Sequence, residues 1–298
     1  MRSETLTPQR AGAAAAAFSV VAALAAVLGF LLIQGWPALS AGLGELPSHA
    51  ENMWQLAGPL VFGSVLVAAI AMLFALPVAL GTALYLVFYA PKRVATVLGG
   101  ALDLLAAVPS VVYGLWGIMV LAPALAGPYA WLNENLGWIP FFAGEASATG
   151  RTALTAALVL AVMVLPLTAS VIRSALALVP EASIEGAYAL GATRWETIKL
   201  AALPFARRSI VAGSMLGLGR ALGETMAVAM VLSPTPFLIG IKLLTSENPN
   251  TVAAYLAQTF PESHGIETSA LIALGLALFA ITCAVNSLAR WITREKTK

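Results

Sequence analysis

Charge is what this chain lacks most. Only 10% of its 298 residues are Asp, Glu, Lys or Arg, whereas 60% are hydrophobic and the mean hydropathy is +0.88. A soluble domain carries about 25% charged and about 45–50% apolar residues, so this composition cannot cover a water-facing surface. Cysteine is almost missing: Cys283 stands alone, which excludes an internal disulfide. The two histidines, His49 and His264, fall in separate polar loops, so no metal-ligand cluster exists at a usable spacing and no metal site is expected. None of the five lysines follows a glycine, so there is no Gly-Lys-Ser/Thr phosphate loop. The chain itself is therefore expected to hold no cofactor and no nucleotide, and to perform no chemistry. There is no internal repeat, no low-complexity tail and no feature that calls for nucleic acid.

What is present is a series of long apolar runs. A helix needs about 20 apolar residues to cross a bilayer, and six segments qualify: about 11–33, part of 52–91, about 94–122, 152–172, about 210–232 and 269–291. The charge-free run from Asn52 to Pro91 holds 40 residues. That is too many for one span, so part of it lies along the membrane or projects beyond it. Pro77, Pro109 and Pro166 fall inside spans, where neighbouring helices and Ser/Thr groups can satisfy the carbonyls they free. These features predict an all-α polytopic protein with six transmembrane helices in a single permease domain over 1–298, its core at about 56–291. The first span reads as an uncleaved anchor rather than a secretory signal, because its apolar core exceeds the 7–15 residues of a signal peptide.

Orientation follows from Lys and Arg, which favour the cytoplasmic side. Thirteen of the sixteen basic residues fall in one set of alternating segments: Arg2, Arg10, Lys92, Arg93, Arg173, Arg194, Lys199, Arg207, Arg208, Arg290, Arg294, Lys296 and Lys298. The opposite loops hold Arg151 and Lys242 with seven carboxylates: Glu45, Glu51, Glu134, Glu145, Glu247, Glu262 and Glu267. Both termini and the loop Pro180–Pro204 are thus expected in the cytoplasm of a bacterium, with membrane lipid around the spans. The outer loops Gly127–Gly150 and Ser233–Thr268 are long and rich in Pro, Gly, Asn and aromatics. They read as ordered caps and as contacts for a solute-delivering protein.

The loop Pro180–Pro204, PEASIEGAYALGATRWETIKLAALP, reads as two short helices. Pro180 and Glu181 suit a first turn, and Gly191 suits a C′ position of positive φ. Thr193 and Glu196 form a capping box, and Pro204 is expected to end the second helix. Ala187, Leu190, Trp195, Ile198 and Leu200 are too apolar for a solvated loop and need a cover, from this chain or from a partner. Glu185-Gly186-Ala187, Gly191 and Leu203-Pro204 closely resemble the cytoplasmic EAA loop of ABC importer permeases, with Gly186 replacing the first alanine. The resemblance implies the type I ABC importer permease fold, and that these six residues couple to a separate ATPase subunit dimer, which binds the ATP.

Three ionisable residues lie inside predicted spans: Asp103, Arg220 and Glu224. Each costs several kcal/mol there, about 2.5–3.5 on insertion scales. Arg220 and Glu224 are spaced i, i+4 and are expected on one helix face. Gly213, Gly217, Gly219 and Gly223 are expected to let a neighbouring helix approach. The charged pair is either a self-neutralising lock on helix packing or part of a substrate path. In the second case the guanidinium fork holds an oxyanion, and the carboxylate accepts a proton that phosphate carries at neutral pH and sulfate does not. Asp103 either pairs with Arg173 or lines the path.

Two further stretches resemble the phosphate-specific (Pst) importer permeases: Val108–Gly117, VPSVVYGLWG, and Gly219–Val228, GRALGETMAV. The Tyr-Gly-Leu-Trp wording and the Met-Ala-Val ending favour the PstC-type subunit over its PstA-type partner. The resemblance implies transport of inorganic phosphate across the inner membrane, with Arg220 and Glu224 on the substrate path. It also implies a homologous second permease of the PstA type, the ATPase dimer and a periplasmic phosphate-binding protein as partners. The alternatives are a permease for molybdate, sulfate or phosphonate, or an ion-coupled secondary carrier.

Overall fold

The computed structural model describes residues 8–39, 46–47, 50–235 and 238–294, so Arg2, Glu45, His49, Glu295, Lys296 and Lys298 lie outside the described residues. The described residues are helical with no strand, only two isolated bridges. Helix α1 spans Pro8–Leu39, and α2 spans Met53–Leu84 and runs on through a π-helical turn at Tyr85–Tyr89. Next come α3, Lys92–Ala106, and α4, Ser110–Trp116, which continues through a π turn into α5, Ala122–Leu136. Helix α6 spans Ala153–Leu176, α7 Glu181–Ala189 and α8 Arg194–Thr197. A π turn at Ile198–Ala202 joins α8 to α9, Leu203–Leu222, and α10 follows at Met226–Val231. Helix α11 covers Val252–Thr259 and α12 Ile266–Arg294.

Among the described residues, five stretches are long and apolar enough to cross a membrane: Gly12–Leu39, Met53–Tyr89, Ser110–Leu136, Ala153–Leu176 and Ile266–Trp291. The second is one continuous helix of 37 residues, about 55 Å long at 1.5 Å per residue. It overshoots a hydrocarbon core of about 30 Å and therefore projects beyond it. The fifth predicted span, about 210–232, is not among these five: it is made of α9 and α10, broken at Gly223–Thr225. They run antiparallel along α6, with Gly213 against Val171 and Gly217 against Val164, and they end where Arg151 meets Val231.

The third predicted span, 94–122, is corrected. The helix breaks at Ala107–Pro109, and the crossing is Ser110–Leu136. Pro109 has no N–H and disfavours helical geometry at Val108, so α3, at 15 residues, stops short of a full crossing. The Tyr113 hydroxyl donates to the Leu105 carbonyl at 2.9 Å, serving one of the groups exposed by the break. The outer loop expected from Gly127 is accordingly helical as far as Leu136.

Helices α2 and α6 form the spine. Ala68, Ala71, Ala75, Ala79 and Ala83 are all fully buried along one face of α2. With no side chain beyond Cβ they bring α6 close, which is how helices associate where lipid is as apolar as the protein. A core of Val67, Leu160, Met163, Val164, Leu222 and Val231 unites α2, α6, α9 and α10. Helix α1 rests on α12, with Gly35 set so that a Cβ would come 3.1 Å from the Ala273 Cα. The two long loops 127–150 and 233–268 meet at one end of the bundle: the Ser147 N–H donates to the Leu244 carbonyl at 2.8 Å and the Leu243 N–H to the Phe141 carbonyl at 2.9 Å.

Candidate functional site

The predicted i, i+4 pair does not sit on one helix face. Helix α9 ends at Leu222, and Gly223–Thr225 interrupts it before α10. Glycine is a poor interior helix residue, and the Glu224 carboxylate competes locally by accepting the Ala227 N–H at 3.2 Å. Glu224 is 8% exposed and, among the described residues, forms no ion pair with Arg220. Arg220 projects instead into a cavity of about 810 Å³ between α6, α9 and α12, which Arg208, Asn286 and Arg290 also line. The break thus separates a cation that faces open space from a buried carboxylate one turn away. Of the four glycines, Gly213 and Gly217 lie against α6 as expected. Gly219 has nothing within 4 Å of a Cβ position and Gly223 meets only its own helix, so these two do not serve close packing.

The two stretches Val108–Gly117 and Gly219–Val228, far apart in sequence, meet in space. Helix α4 crosses α10 at Gly114, where a Cβ would stand 2.9 Å from the Ala227 Cα and 3.0 Å from the Met230 sulfur. Gly117 packs under Val159 and Val231. The break in α9–α10 is therefore held from one side by α4.

In the sequence Arg151 is legible only as a positive charge in a loop set that is mostly acidic. Its guanidinium donates to the carbonyls of Met230, Val231 and Leu232 at 3.1–3.2 Å, closing the C-terminal end of α10. A cation there complements the carbonyl end of the helix, and the Asn248 amide in turn donates to the Arg151 carbonyl.

Asp103 is engaged with α6. Arg173 lies 3.2 Å from one of its carboxylate oxygens, and the Ser170 hydroxyl donates to the other at 2.7 Å. Gly99, one turn earlier on α3, leaves room for the Arg173 guanidinium, which a Cβ there would overlap.

The loop at Pro180–Pro204 forms the two expected helices. Gly191 adopts φ +82°, a left-handed conformation that glycine takes without cost. The Thr193–Glu196 capping box is complete: the Thr193 N–H donates to Glu196 at 2.8 Å, and the Glu196 N–H donates to the Thr193 hydroxyl oxygen at 3.4 Å. These bonds, the hydroxyl of Thr193 foremost, hold the Glu196 carboxyl below its ordinary value. Pro204 does not end the helix. The π turn at Ile198–Ala202 widens the backbone, so the N–H that Pro204 lacks is not missed and α8 runs on into α9.

The chain covers only part of this loop. Ile198 is buried, but Leu190 is 90% exposed, Leu200 74%, and Tyr188 and Trp195 are also open. Glu185 and Gly186 are exposed, Ala187 and Leu203 half-buried, Pro204 exposed. The loop is tied back at one point, where the Arg194 guanidinium stacks 5.3 Å from the Tyr89 ring at the end of α2.

The family described as binding-protein-dependent transport system inner membrane component matches residues 75–298. The chain is 40% identical over 294 residues to the phosphate transport system permease protein PstC 2 of Mycobacterium tuberculosis, covering 95% of this chain and 90% of that protein. It is 42% identical over 243 residues to PstC of Xylella fastidiosa strain Temecula1, covering 80% and 74%. Among solved structures it resembles the inward-facing MetNI methionine ABC transporter, with a TM-score of 0.55 at 17% identity over 81% of this chain and 98% of that one. It also resembles a bacterial ABC transporter for import of the acidic polysaccharide alginate, with a TM-score of 0.59 at 16% identity over 80% and 79%. At those identities the likeness is one of fold: the all-α permease fold of type I ABC importers.

Proposed function

The chain belongs to the family of binding-protein-dependent transport system inner membrane components, and on that premise we propose that it carries inorganic phosphate across the bacterial inner membrane. In this reading both termini and the loop Pro180–Pro204 face the cytoplasm. A PstA-type permease completes the channel, and a periplasmic phosphate-binding protein delivers the anion to the outer loops. A dimer of ATPase subunits binds and hydrolyses the ATP, and this chain holds no cofactor of its own.

One observation carries the mechanism: the exposed coupling segment is continuous with the helix that bears Arg220. From Arg194 to Arg220 the backbone is helical without a gap, a lever of about 39 Å at 1.5 Å per residue. Closure of the ATPases against Glu185, Gly186, Ala187, Gly191, Leu203 and Pro204 moves α8, and α9 transmits that movement to Arg220. The break at Gly223–Thr225 lets Arg220 move relative to Glu224 and α10, which Arg151 and α4 hold in place. The guanidinium fork of Arg220 takes the oxyanion. Glu224 accepts a hydrogen bond from the P–OH that phosphate carries and sulfate lacks. Asp103 serves α3–α6 packing rather than the path.

Uptake of labelled phosphate into vesicles containing the assembled transporter tests this, with sulfate and molybdate as competitors. Uptake is expected to need ATP and to drop by about 10²-fold in Arg220→Gln and Glu224→Gln. Unchanged phosphate transport in both variants would end the pathway assignment. Stronger competition by sulfate or molybdate than by phosphate itself would redirect the substrate.

A further inference from the structure

A buried hydroxyl between α6 and α9 is left without a partner in this arrangement. Thr168 is fully buried, and its Oγ1 makes no hydrogen bond among the described residues. It faces Gly217, where a Cβ would overlap it. Val164 and Met72 close the same spot, at 2.8 and 3.6 Å from that Cβ position. A threonine inside a helix ordinarily answers burial by bonding the carbonyl one turn back. Ser214, on the facing helix, does so and donates to the Ile210 carbonyl at 2.8 Å. Thr168 does not, and folded proteins rarely leave such a group unserved.

Opposite Thr168, α9 carries small residues four apart: Ser209, Gly213 and Gly217. Such a stripe alone says only that two helices pack closely. The unserved hydroxyl gives it a direction. Gly217 meets Thr168 and Val164, while Gly213 meets Val171 and Ile172. An advance of α9 by four residues toward Gly223, about 6 Å, brings Gly213 opposite Thr168 and Ser209 opposite Val171. It also brings Ser214 beside Thr168. Ser214 is buried, its hydrogen is committed to Ile210, and its oxygen can still accept. The leading end of α9 has room for this advance. A cavity of about 480 Å³ opens at Gly223 and Thr225, walled by Ala253, Phe260, Leu271 and Gly275. One-turn slips between two discrete packings are an established form of helix movement.

We infer that Thr168 is a positioning residue for the transport step: its hydroxyl disfavours the register seen here and favours one in which α9 has advanced a turn and Ser214 accepts from it. The inference rests on the reading of α9 as the helix that carries Arg220 to phosphate. Thr168 touches no anion and acts on Arg220 only through the register of α9.

The test uses the assembled transporter in proteoliposomes, as wild type, as Thr168→Val, which keeps the shape and drops the hydroxyl, and as Thr168→Ser, which keeps the hydroxyl. Turnover is read both as ATP hydrolysis and as uptake of labelled phosphate. With the free Cys283 replaced by serine, disulfide formation is followed in Thr168→Cys/Gly217→Cys and in Thr168→Cys/Ser214→Cys. Each pair is examined without nucleotide and after trapping with ATP and vanadate. Thr168→Val is expected to hold or raise the nucleotide-free thermal midpoint, which certifies its fold. It should turn over about tenfold more slowly at unchanged KM for phosphate, with Thr168→Ser within about twofold of wild type. The pair with Gly217 should bridge without nucleotide, and the pair with Ser214 only in the trapped state. A wild-type turnover rate in Thr168→Val overturns the inference, and so does a trapped transporter in which only the Gly217 pair bridges. Bridges that switch on trapping, with slowed hydrolysis in Thr168→Val but no phosphate uptake by wild type, sink the substrate reading while the step of α9 stands.

Discussion

Gly114 and Ala227 touch where α4 crosses α10, so closely that a Cβ on Gly114 would stand 2.9 Å from the Ala227 Cα. The contact joins the two stretches that resemble phosphate permeases, and it braces the break beside Glu224. A neighbouring backbone atom cannot rotate out of the way as a side-chain tip can. Gly114→Val is therefore expected to push α4 off α10, at about 1–3 kcal/mol, the cost of overpacking. The thermal midpoint of the purified transporter should fall, and phosphate uptake with it. A variant with wild-type stability and uptake would show that the crossing is looser than the geometry requires.

Asp103 gives a contrasting expectation. Its carboxylate is satisfied by Arg173 and Ser170 yet is 54% exposed in the single chain, so the ion pair contributes at most about 1 kcal/mol. Asp103→Asn should keep phosphate uptake within about twofold, since a packing contact of that size is the only loss. Gly99→Ala, which displaces the Arg173 guanidinium, should behave alike. The adjacent Gly100 has nothing within 4 Å of a Cβ position, so Gly100→Ala should gain about 0.5–1 kcal/mol of helix stability. Abolished uptake in Asp103→Asn would return this residue to the anion path.

Leu190 is the most exposed large apolar residue of the coupling loop at 90%. Within this chain it contacts little, so Leu190→Ser should change stability by less than about 0.5 kcal/mol. In the assembled transporter it should uncouple ATP hydrolysis from phosphate uptake, since the proposed function draws the apolar cover of this face from the ATPase. Wild-type coupling ratios in Leu190→Ser would argue against this face as the socket.

The capping box supplies a pH dependence. Thr193, through its hydroxyl and its backbone N–H, and Lys199 to a smaller degree, hold the Glu196 carboxyl below its ordinary value of 4.5. A group depressed in the folded state stabilises above its unfolded value and loses that contribution as pH falls through the folded one. The second coupling helix should therefore be unaffected by Glu196 protonation at neutral pH and loosen on acidification below about 4.5. The thermal-midpoint difference between wild type and Glu196→Gln should be widest at pH 7 and shrink in acid. A difference that grows on acidification would reverse the assigned sign.

Much of this architecture is written in one-dimensional features. Apolar run lengths and the alternation of basic and acidic loops determine an all-α multispan protein, because bilayer thickness and the cost of moving charge across it act on each segment alone. Gly191, Thr193 and Glu196 were legible for a similar reason: caps are local, made by residues three or four apart. Pro204 was misread because a π turn nearby absorbs what a proline removes, and no residue type announces a π turn. The span at 94–122 was misplaced because Pro109 is tolerated in some membrane helices and breaks others, depending on what packs beside it.

The candidate site depended on tertiary structure. Spacing put Arg220 and Glu224 on one face, yet Gly223 ends the helix between them, and the packing of α4, α6 and α11 with the Arg151 cap keeps α10 where Glu224 is buried. The company of Arg208, Asn286 and Arg290 around Arg220 joins α9 to α12 across about seventy residues of intervening chain. Composition and the lengths of the apolar runs determined by themselves that this chain spans a membrane several times. Which cations share a cavity, and where a helix breaks, was decided by contacts between distant segments, because local propensity differences of about 1 kcal/mol yield to the packing of whole helices.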